Sequence, residues 1–464
     1  MLLDSQFCNP TGVLIMRLSA LLALLASCFC QSLLAAPTDS PAVDAKRLSA
    51  IVKTLASDEF AGRAPGGVGE EKTVAYLIDQ FKTLGLSPGA GEERWTQPVP
   101  LWQTQIREPA TFRVNAPKAS MMLQQGKDVA IATAQPARTV TVDNAPIVFV
   151  GFGANAPERD WDDYGEIDLT GKVALFLVND PDFSAAPGEP SAGRFGGKRM
   201  TYYGRWAYKF EEAERRGAIA ALVIHEDIAA GYGWSVASAS PGENFSVVLP
   251  KGKTRSLQLQ GWMSWEAATG LFDSAGLELQ ALRTRARSPE FTAFELKGTT
   301  LTAQLDVELQ RIESQNVLAV LPGTTQADET LMVSSHWDAF GEGEPDSEGR
   351  TVRPGANDDA LGTAGVIELA RVLKQGPPLQ RSVVFAAWTA EESGLLGSAT
   401  YADNPIYPVP TTVANFTLDI LQTAGPAKDV ILVGEGQSEL EDYLERAAQG
   451  QGRYVTPENL PENG

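Results

Sequence analysis

Leu331-Met332-Val333-Ser334-Ser335-His336-Trp337-Asp338 places apolar and small residues directly ahead of a histidine and an acid. A short run of that kind, without polar alternation, suits a strand buried on both faces of a parallel sheet. Downstream, Gly355-Ala356-Asn357-Asp358-Asp359 precedes a helical stripe of Val366, Leu369, Ala370 and Leu373, which Gly376-Pro377-Pro378 ends. Residues 382–388 read as a second strand and 413–420 as a third. The alternation predicts an α/β fold, a mostly parallel twisted sheet flanked by helices. Residues 430–432 and the amphipathic Leu440, Tyr443, Leu444 and Ala447 continue it, but the polar close through Asn459 to Gly464 makes this last unit read as unfinished.

Upstream the pattern changes twice. Residues 44–86 read as helical, with Val74, Leu77, Ile78, Phe81 and Leu84 as a core stripe and Gly85 and Pro88 as the stop, while 96–145 read as strands and connections. From residue 147 to about 294 strand and helix alternate again, without any cluster of acids at ligand spacing. Its one histidine, His225, ends an apolar run and reads as an ordinary strand-end residue. These shifts divide the chain into a leader at 1–36, a first part of the main domain at 37–140, an insert at 141–295 and the rest of the main domain at 296–464.

Composition narrows the possible partners. The 464 residues carry a formal charge of -20, which repels phosphate backbones and anionic surfaces and so argues against nucleic acid. Cys8, Cys28 and Cys30 are the only cysteines, so any metal bound downstream needs histidine and carboxylates. The apolar run 18–30 after Met16-Arg17, closing near Leu34-Ala35-Ala36, reads as an export leader with Met16 as the true start, which implies a periplasmic or secreted protein. Leu25-Ala26-Ser27-Cys28 also resembles a lipobox, the alternative that would put a lipid on Cys28. The run is shorter than the roughly 20 residues a membrane span needs, and no second candidate follows.

Polar residues collect where the strands end, the edge at which open α/β sheets build sites. His336 and Asp338 close the first strand, Asp358-Asp359 precede the helix, the second strand ends in Glu391-Glu392, and Asp419 sits in the third. Taken singly, the first acidic pair fits a helix start and the second a solvated first turn. Asp419 in an apolar strand is harder to dismiss, since a buried unpaired carboxylate is costly. A pair of divalent cations accounts for all of them, with a nitrogen from His336 and oxygens from Asp358, Glu392 and Asp419 as zinc ligands. Extended neighbours point to opposite sides, so Glu391 is left to face the cleft as a general base.

His336-Trp337-Asp338, Gly355-Ala356-Asn357-Asp358-Asp359-Ala360, Glu391-Glu392-Ser393-Gly394-Leu395-Leu396-Gly397-Ser398 and Leu418-Asp419, in that order, resemble the di-zinc aminopeptidase and glutamate carboxypeptidase family of secreted and membrane metallopeptidases. Ser57-Asp58-Glu59-Phe60-Ala61-Gly62-Arg63 resembles that family's opening, and the insert resembles a protease-associated domain. The resemblance implies a zinc-exopeptidase fold of the phosphorylase/hydrolase type. It further implies two Zn2+ ions bridged by Asp358, one site completed by His336 and Asp419, the other served by Glu392, with Asp338 orienting His336. The peptide after Asp358 is implied to be cis. The implied reaction is removal of amino-terminal residues from peptides with a free N-terminus, by a hydroxide bridging the ions with Glu391 as base. The family closes the second site with a later histidine, and none follows His336, so that site is incomplete as the sequence stands, either because the chain is C-terminally truncated or because the ligand is lost.

Three rivals stay open: a carboxypeptidase of the same family using Arg350 or Arg353, a single-zinc glutaminyl cyclase, and an inactive peptide-binding protein on this scaffold.

Overall fold

The computed structural model describes residues 41–457 except residues 92, 199, 240, 241, 344, 347 and 433–437. The leader, Cys28 and the polar close after residue 457 therefore lie outside the described residues. Asp44 opens the first helix, α1 (Ala45–Leu55), by accepting from the Lys46 and Arg47 amides, which satisfies first-turn donors. The helical stretch expected over 44–86 is in fact two helices. Pro65, which lacks an amide, and Gly66-Gly67 interrupt it, so the chain makes a tight turn over Asp58–Arg63 and restarts as α2 (Val68–Thr83). The stripe on α2 packs inward as expected, with Val74, Leu77 and Phe81 buried.

Strands β1 (Thr96–Ile106), β2 (Thr139–Gly151), β3 (Val173–Leu177), β4 (Ala220–Ile224) and β5 (Leu259–Met263) precede a 28-residue strand, β6 (Phe294–Leu321). β2, β3, β4 and β5 run parallel in that spatial order, with Val129–Ala132, which precedes the predicted insert boundary, antiparallel at the far edge. β3 and β4 are buried at every position, which is why both read as uninterrupted apolar runs. One core side holds Phe149, Leu175, Leu222, Leu271 and Phe272; the other receives helix α3 (Trp206–Arg215) through Phe210 and Ala213. His225 ends β4 in a ring of Tyr232, Trp234 and Trp262, as a strand-end core residue would.

β6 joins the two halves. Its start pairs with β2, its middle with β1, and its end antiparallel with β8 (Arg381–Trp388). Beyond β8 lie β7 (Gln326–His336) and then β9 (Thr412–Thr417), all three parallel, with helix α4 (Leu361–Gln375) packed on one face. The parallel arrangement expected for the site-bearing strands is present, and antiparallel strands extend the sheet on the β6 side. β10 (Asp429–Leu432), helix α5 (Leu440–Gly450) and β11 (Tyr454–Pro457) form a separate small parallel pair with one helix.

Candidate active site

Three parallel strands finish at one edge. His336 is in register with Trp388 of β8, and Ser334 with Thr417 of β9, so the residues just past each strand share one cleft. His336 Nε2 lies 3.0 Å from Asp358 Oδ1, 3.7 Å from Asp419 Oδ1 and 3.8 Å from Glu391 Oε2. The imidazole is buried, whereas Asp358 and Asp419 side chains are 41% and 42% exposed, so the ligand set opens toward solvent. The peptide between Asp358 and Asp359 is cis.

Two fully buried acids hold this set from below. Asp338 accepts from the amides of Glu391 at 3.0 Å and Glu392 at 3.3 Å, and its Oδ1 stands 3.5 Å from His336 Nδ1. One carboxylate thus fixes the Glu391-Glu392 backbone and flanks the imidazole. Asp359 accepts from the amides of His336 and Gly362, tying the strand end to the start of α4. Position 362 is glycine for a steric reason: a Cβ there would sit 2.6 Å from the Leu418 carbonyl oxygen as well as on the Asp359 carboxylate.

Two details differ from the sequence reading. Glu391 and Glu392 are not the end of an extended strand; β8 stops at Trp388, and the pair lies in a tight turn with positive φ at Ala390 and Leu395. The Gly394 and Leu395 amides close that turn by both donating to the Glu391 carbonyl. Asp419 is not buried within an apolar strand either. β9 ends at Thr417 and pairs with β7, so much of it, and the Asp419 carboxylate, face outward.

His336, Asp358 and Asp419 bring one ligand atom each within 4.8 Å of one another, and among the described residues they are the one such group. Glu392 stands outside this group, but its Oε1 is buried without a hydrogen-bond partner. Burial and then Asp358 raise Glu392 to about 8. Burial raises Glu391 to about 7, with Asp338, Asp419 and Asp358 pushing the same way against His336. Burial disfavours the His336 imidazolium, but Asp338, Asp358 and Asp419 outweigh it and hold the ring above its usual value. These are the marks of a site short of positive charge. Ligands about 2.0–2.1 Å from tetrahedral zinc stand about 3.4 Å apart; the 3.0 and 3.7 Å separations from His336 Nε2 bracket that value. The donor set therefore fits zinc.

Sequence reasoning about the site passed over Arg63, quoted only within the opening motif. Its guanidinium is buried and donates at 2.7–2.8 Å to the carbonyls of Leu55, Trp337, Pro354 and Gly355. It thereby joins the end of α1 to both loops that carry His336 and Asp358. Burial lowers it to about 10, against the pull of Asp338, Asp359, Glu392 and Asp358. The signal available in sequence was the Gly62-Arg63 pair: a Cβ on Gly62 would meet the Gly341 carbonyl oxygen at 2.4 Å. Arg63→Met leaves those acceptors without their donor and is expected to destabilise the protein by about 3 kcal/mol. Urea unfolding with and without zinc measures it, and a loss below about 1 kcal/mol would remove Arg63 from this role.

The raised carboxyls set a pH dependence in the absence of metal. Asp359 is raised to about 7 by burial, as Glu391 is, and Glu392 to about 8. A folded-state value above the unfolded one means that the fold binds the proton more tightly. Stability from these groups is fully present below about pH 4 and lost as pH rises through 7 to 8. Thermal melts of chelator-treated protein should fall from pH 5 to pH 8, and zinc should flatten that slope; a rise over the same window would refute the account.

Residues 316–464 match the model of peptidase family M28. A 113-residue stretch is 34% identical to the probable lipoprotein aminopeptidase LpqL of Mycobacterium tuberculosis, covering 24% of this chain and 20% of that protein. A 150-residue stretch is 33% identical to aminopeptidase YwaD of Bacillus subtilis, covering 30% of each chain. The chain thus spans less than a third of the length of these relatives. Among solved structures, the aminopeptidase from Aneurinibacillus sp. strain AM-1 is 20% identical, with 90% of this chain and 80% of that one covered at a TM-score of 0.48.

Proposed function

We propose that this M28-domain protein is an exported zinc exopeptidase that removes amino-terminal residues from peptides. The observation that carries the reading is the convergence of His336, Asp358 and Asp419 with Glu391 Oε2 held 3.8 Å from His336 Nε2. In this reading His336, Asp358 and Asp419 hold one zinc ion, and Asp358 with Glu392 begins a second site. Bound zinc would supply Lewis-acid polarisation of the scissile carbonyl and acidify the attacking water. Glu391 accepts the proton from that water as the C–O bond forms and then delivers it to the amine nitrogen, whereupon the C–N bond breaks and the amine departs. Burial, which raises Glu391 in the metal-free site, favours its holding a proton between the two steps. Asp338 positions the base through its backbone and steadies the imidazole. The acidic balance of the chain, with a formal charge of -20, favours a cationic α-amine over a carboxylate terminus, which is the basis for an amino-terminal preference.

The carboxypeptidase alternative needs a free cation for a terminal carboxylate. Arg350 already pairs with Asp346 at 2.9 Å and Glu348 at 3.2 Å, and the Arg353 guanidinium donates to the Arg350 and Thr351 carbonyls. Export rests on the leader at 1–36 and on the lipoprotein designation of LpqL; no helix among the described residues is long and apolar enough to cross a membrane.

The test is amino-acid release from a free peptide, its N-acetylated form and its C-terminal amide, with chelator-treated and zinc-restored protein. The free peptide and the amide should be cleaved, only with zinc, and the acetylated peptide should not. Cleavage of the acetylated peptide from its carboxyl end would favour the carboxypeptidase. Metal analysis should find zinc bound through His336, Asp358 and Asp419, and protein that binds none would refute the reading.

A further inference from the structure

The ladder between β6 and β8 ends at the pair Val317 and Ala387. Beyond that pair β8 leaves for the turn that carries Glu391 and Glu392, and side chains of β6 take over the contact. Asn316, the next residue on β6, is fully buried; its Oδ1 accepts from the Thr389 amide at 3.1 Å and its Nδ2 donates to the Gly397 carbonyl at 2.9 Å. Both partners are backbone groups of fixed polarity, so the carboxamide has a single orientation. Ser314, on the same face of the strand, brings its Oγ within 2.6 Å of Thr389 Oγ1 and donates to the buried Glu70 carboxyl at 3.0 Å.

These bonds meet the two ends of one turn. Thr389 and Gly397 are also joined directly, the Gly397 amide donating to the Thr389 carbonyl at 3.0 Å and the Leu396 amide to the Ala390 carbonyl at 3.1 Å. The direct bonds close the turn on itself, whereas the Asn316 carboxamide ties the closed turn to the sheet. The junction has no room for a side chain: a Cβ on Gly397 would overlap both the Thr389 carbonyl oxygen and Asn316 Oδ1. Gly397 does not have positive φ, so it is glycine for space and not for backbone twist. His336, Asp358 and Asp419 stand on other segments, so their grouping does not depend on this closure, while the placing of Glu391 does.

We propose that Asn316 is a positioning residue for Glu391. By pinning both ends of the turn to β6 it sets the reach of the carboxylate, whose Oε2 stands 3.8 Å from His336 Nε2. Asp338 holds the Glu391 and Glu392 amides, and Asn316 holds the base of the loop on which they ride. The proposal rests on the exopeptidase reading, in which that carboxylate moves the proton.

Two variants test it from opposite directions. Asn316→Leu keeps the bulk and removes both bonds; Gly397→Ala wedges the same junction apart without removing a polar group. In zinc-restored protein, assayed well below its melting temperature, each should lower kcat by at least about thirtyfold with KM within about threefold of wild type, the pattern of a displaced base. A merely structural Asn316 would lower the melting temperature and leave kcat of the folded protein unchanged, so kcat within about threefold of wild type in either folded variant overturns the proposal. Hydrogen exchange of chelator-treated protein reads the clamp without turnover. The wild-type Thr389, Leu396 and Gly397 amides should be protected to within about tenfold of those in β8, and Asn316→Leu should release them by at least about tenfold more than β8. Wild-type exchange of these amides at the rate of an exposed turn overturns the proposal even if neither variant folds. Protection in a wild-type protein that hydrolyses no peptide counts against the exopeptidase reading alone.

Discussion

Glu391→Gln is expected to lower kcat by at least about a hundredfold while zinc content stays at the wild-type level. The amide keeps the size of the carboxylate and leaves the backbone bond from Glu391 N to Asp338 Oδ1 in place, so the turn is undisturbed. It removes only the ability to hold a proton between the attack and the departure of the amine. His336, Asp358 and Asp419 form the ligand group without Glu391, which is why metal should remain. The pH profile gives a second reading. Wild-type kcat/KM should decline on the acid side as Glu391 takes up a proton, because the base must be unprotonated to accept. That acid limb should vanish from the residual activity of the variant. Turnover within about threefold of wild type would place the proton elsewhere.

The strand ends were legible because β8 and the second half of β7 are mostly apolar, and parallel strands that stop together gather whatever polar residues follow them. His336, Asp358 and Asp419 could be grouped from that alone, and the structure brings these three together. The turn at Glu391-Glu392 was not legible as a turn: positive φ at Ala390 and Leu395 is set by amides donating to the Glu391 carbonyl and by Asp338, 53 residues earlier in sequence. Arg63 escaped for a related reason. Its acceptor at Trp337 is 274 residues away and is a backbone carbonyl, which has no signature in side-chain pattern. The exposed Asp419 shows the limit of reading burial from apolar neighbours, since Val413 and Phe416 on the same strand are themselves largely exposed.

Asp358→Ala should lose zinc almost completely, with affinity falling by at least about a thousandfold, equivalent to roughly 4 kcal/mol. In the proposed arrangement Asp358 serves both ions, so its loss leaves His336 and Asp419 for one and Glu392 for the other, too few for a zinc site. The substitution also separates a metal role from a structural one. The Asp358 side chain is 41% exposed and its carboxylate is one of the charges that raise Glu392. Removing it relieves the crowding on Glu392 but loses the 3.0 Å contact with His336 Nε2, so without metal the two effects oppose and the variant should melt near the wild-type temperature. Wild-type protein should gain thermal stability on adding zinc, through preferential binding to the folded state, and Asp358→Ala should gain almost none. A purely structural Asp358 would instead lower stability with and without zinc alike. Retention of two zinc ions by the variant after gel filtration would eliminate the shared-ligand role.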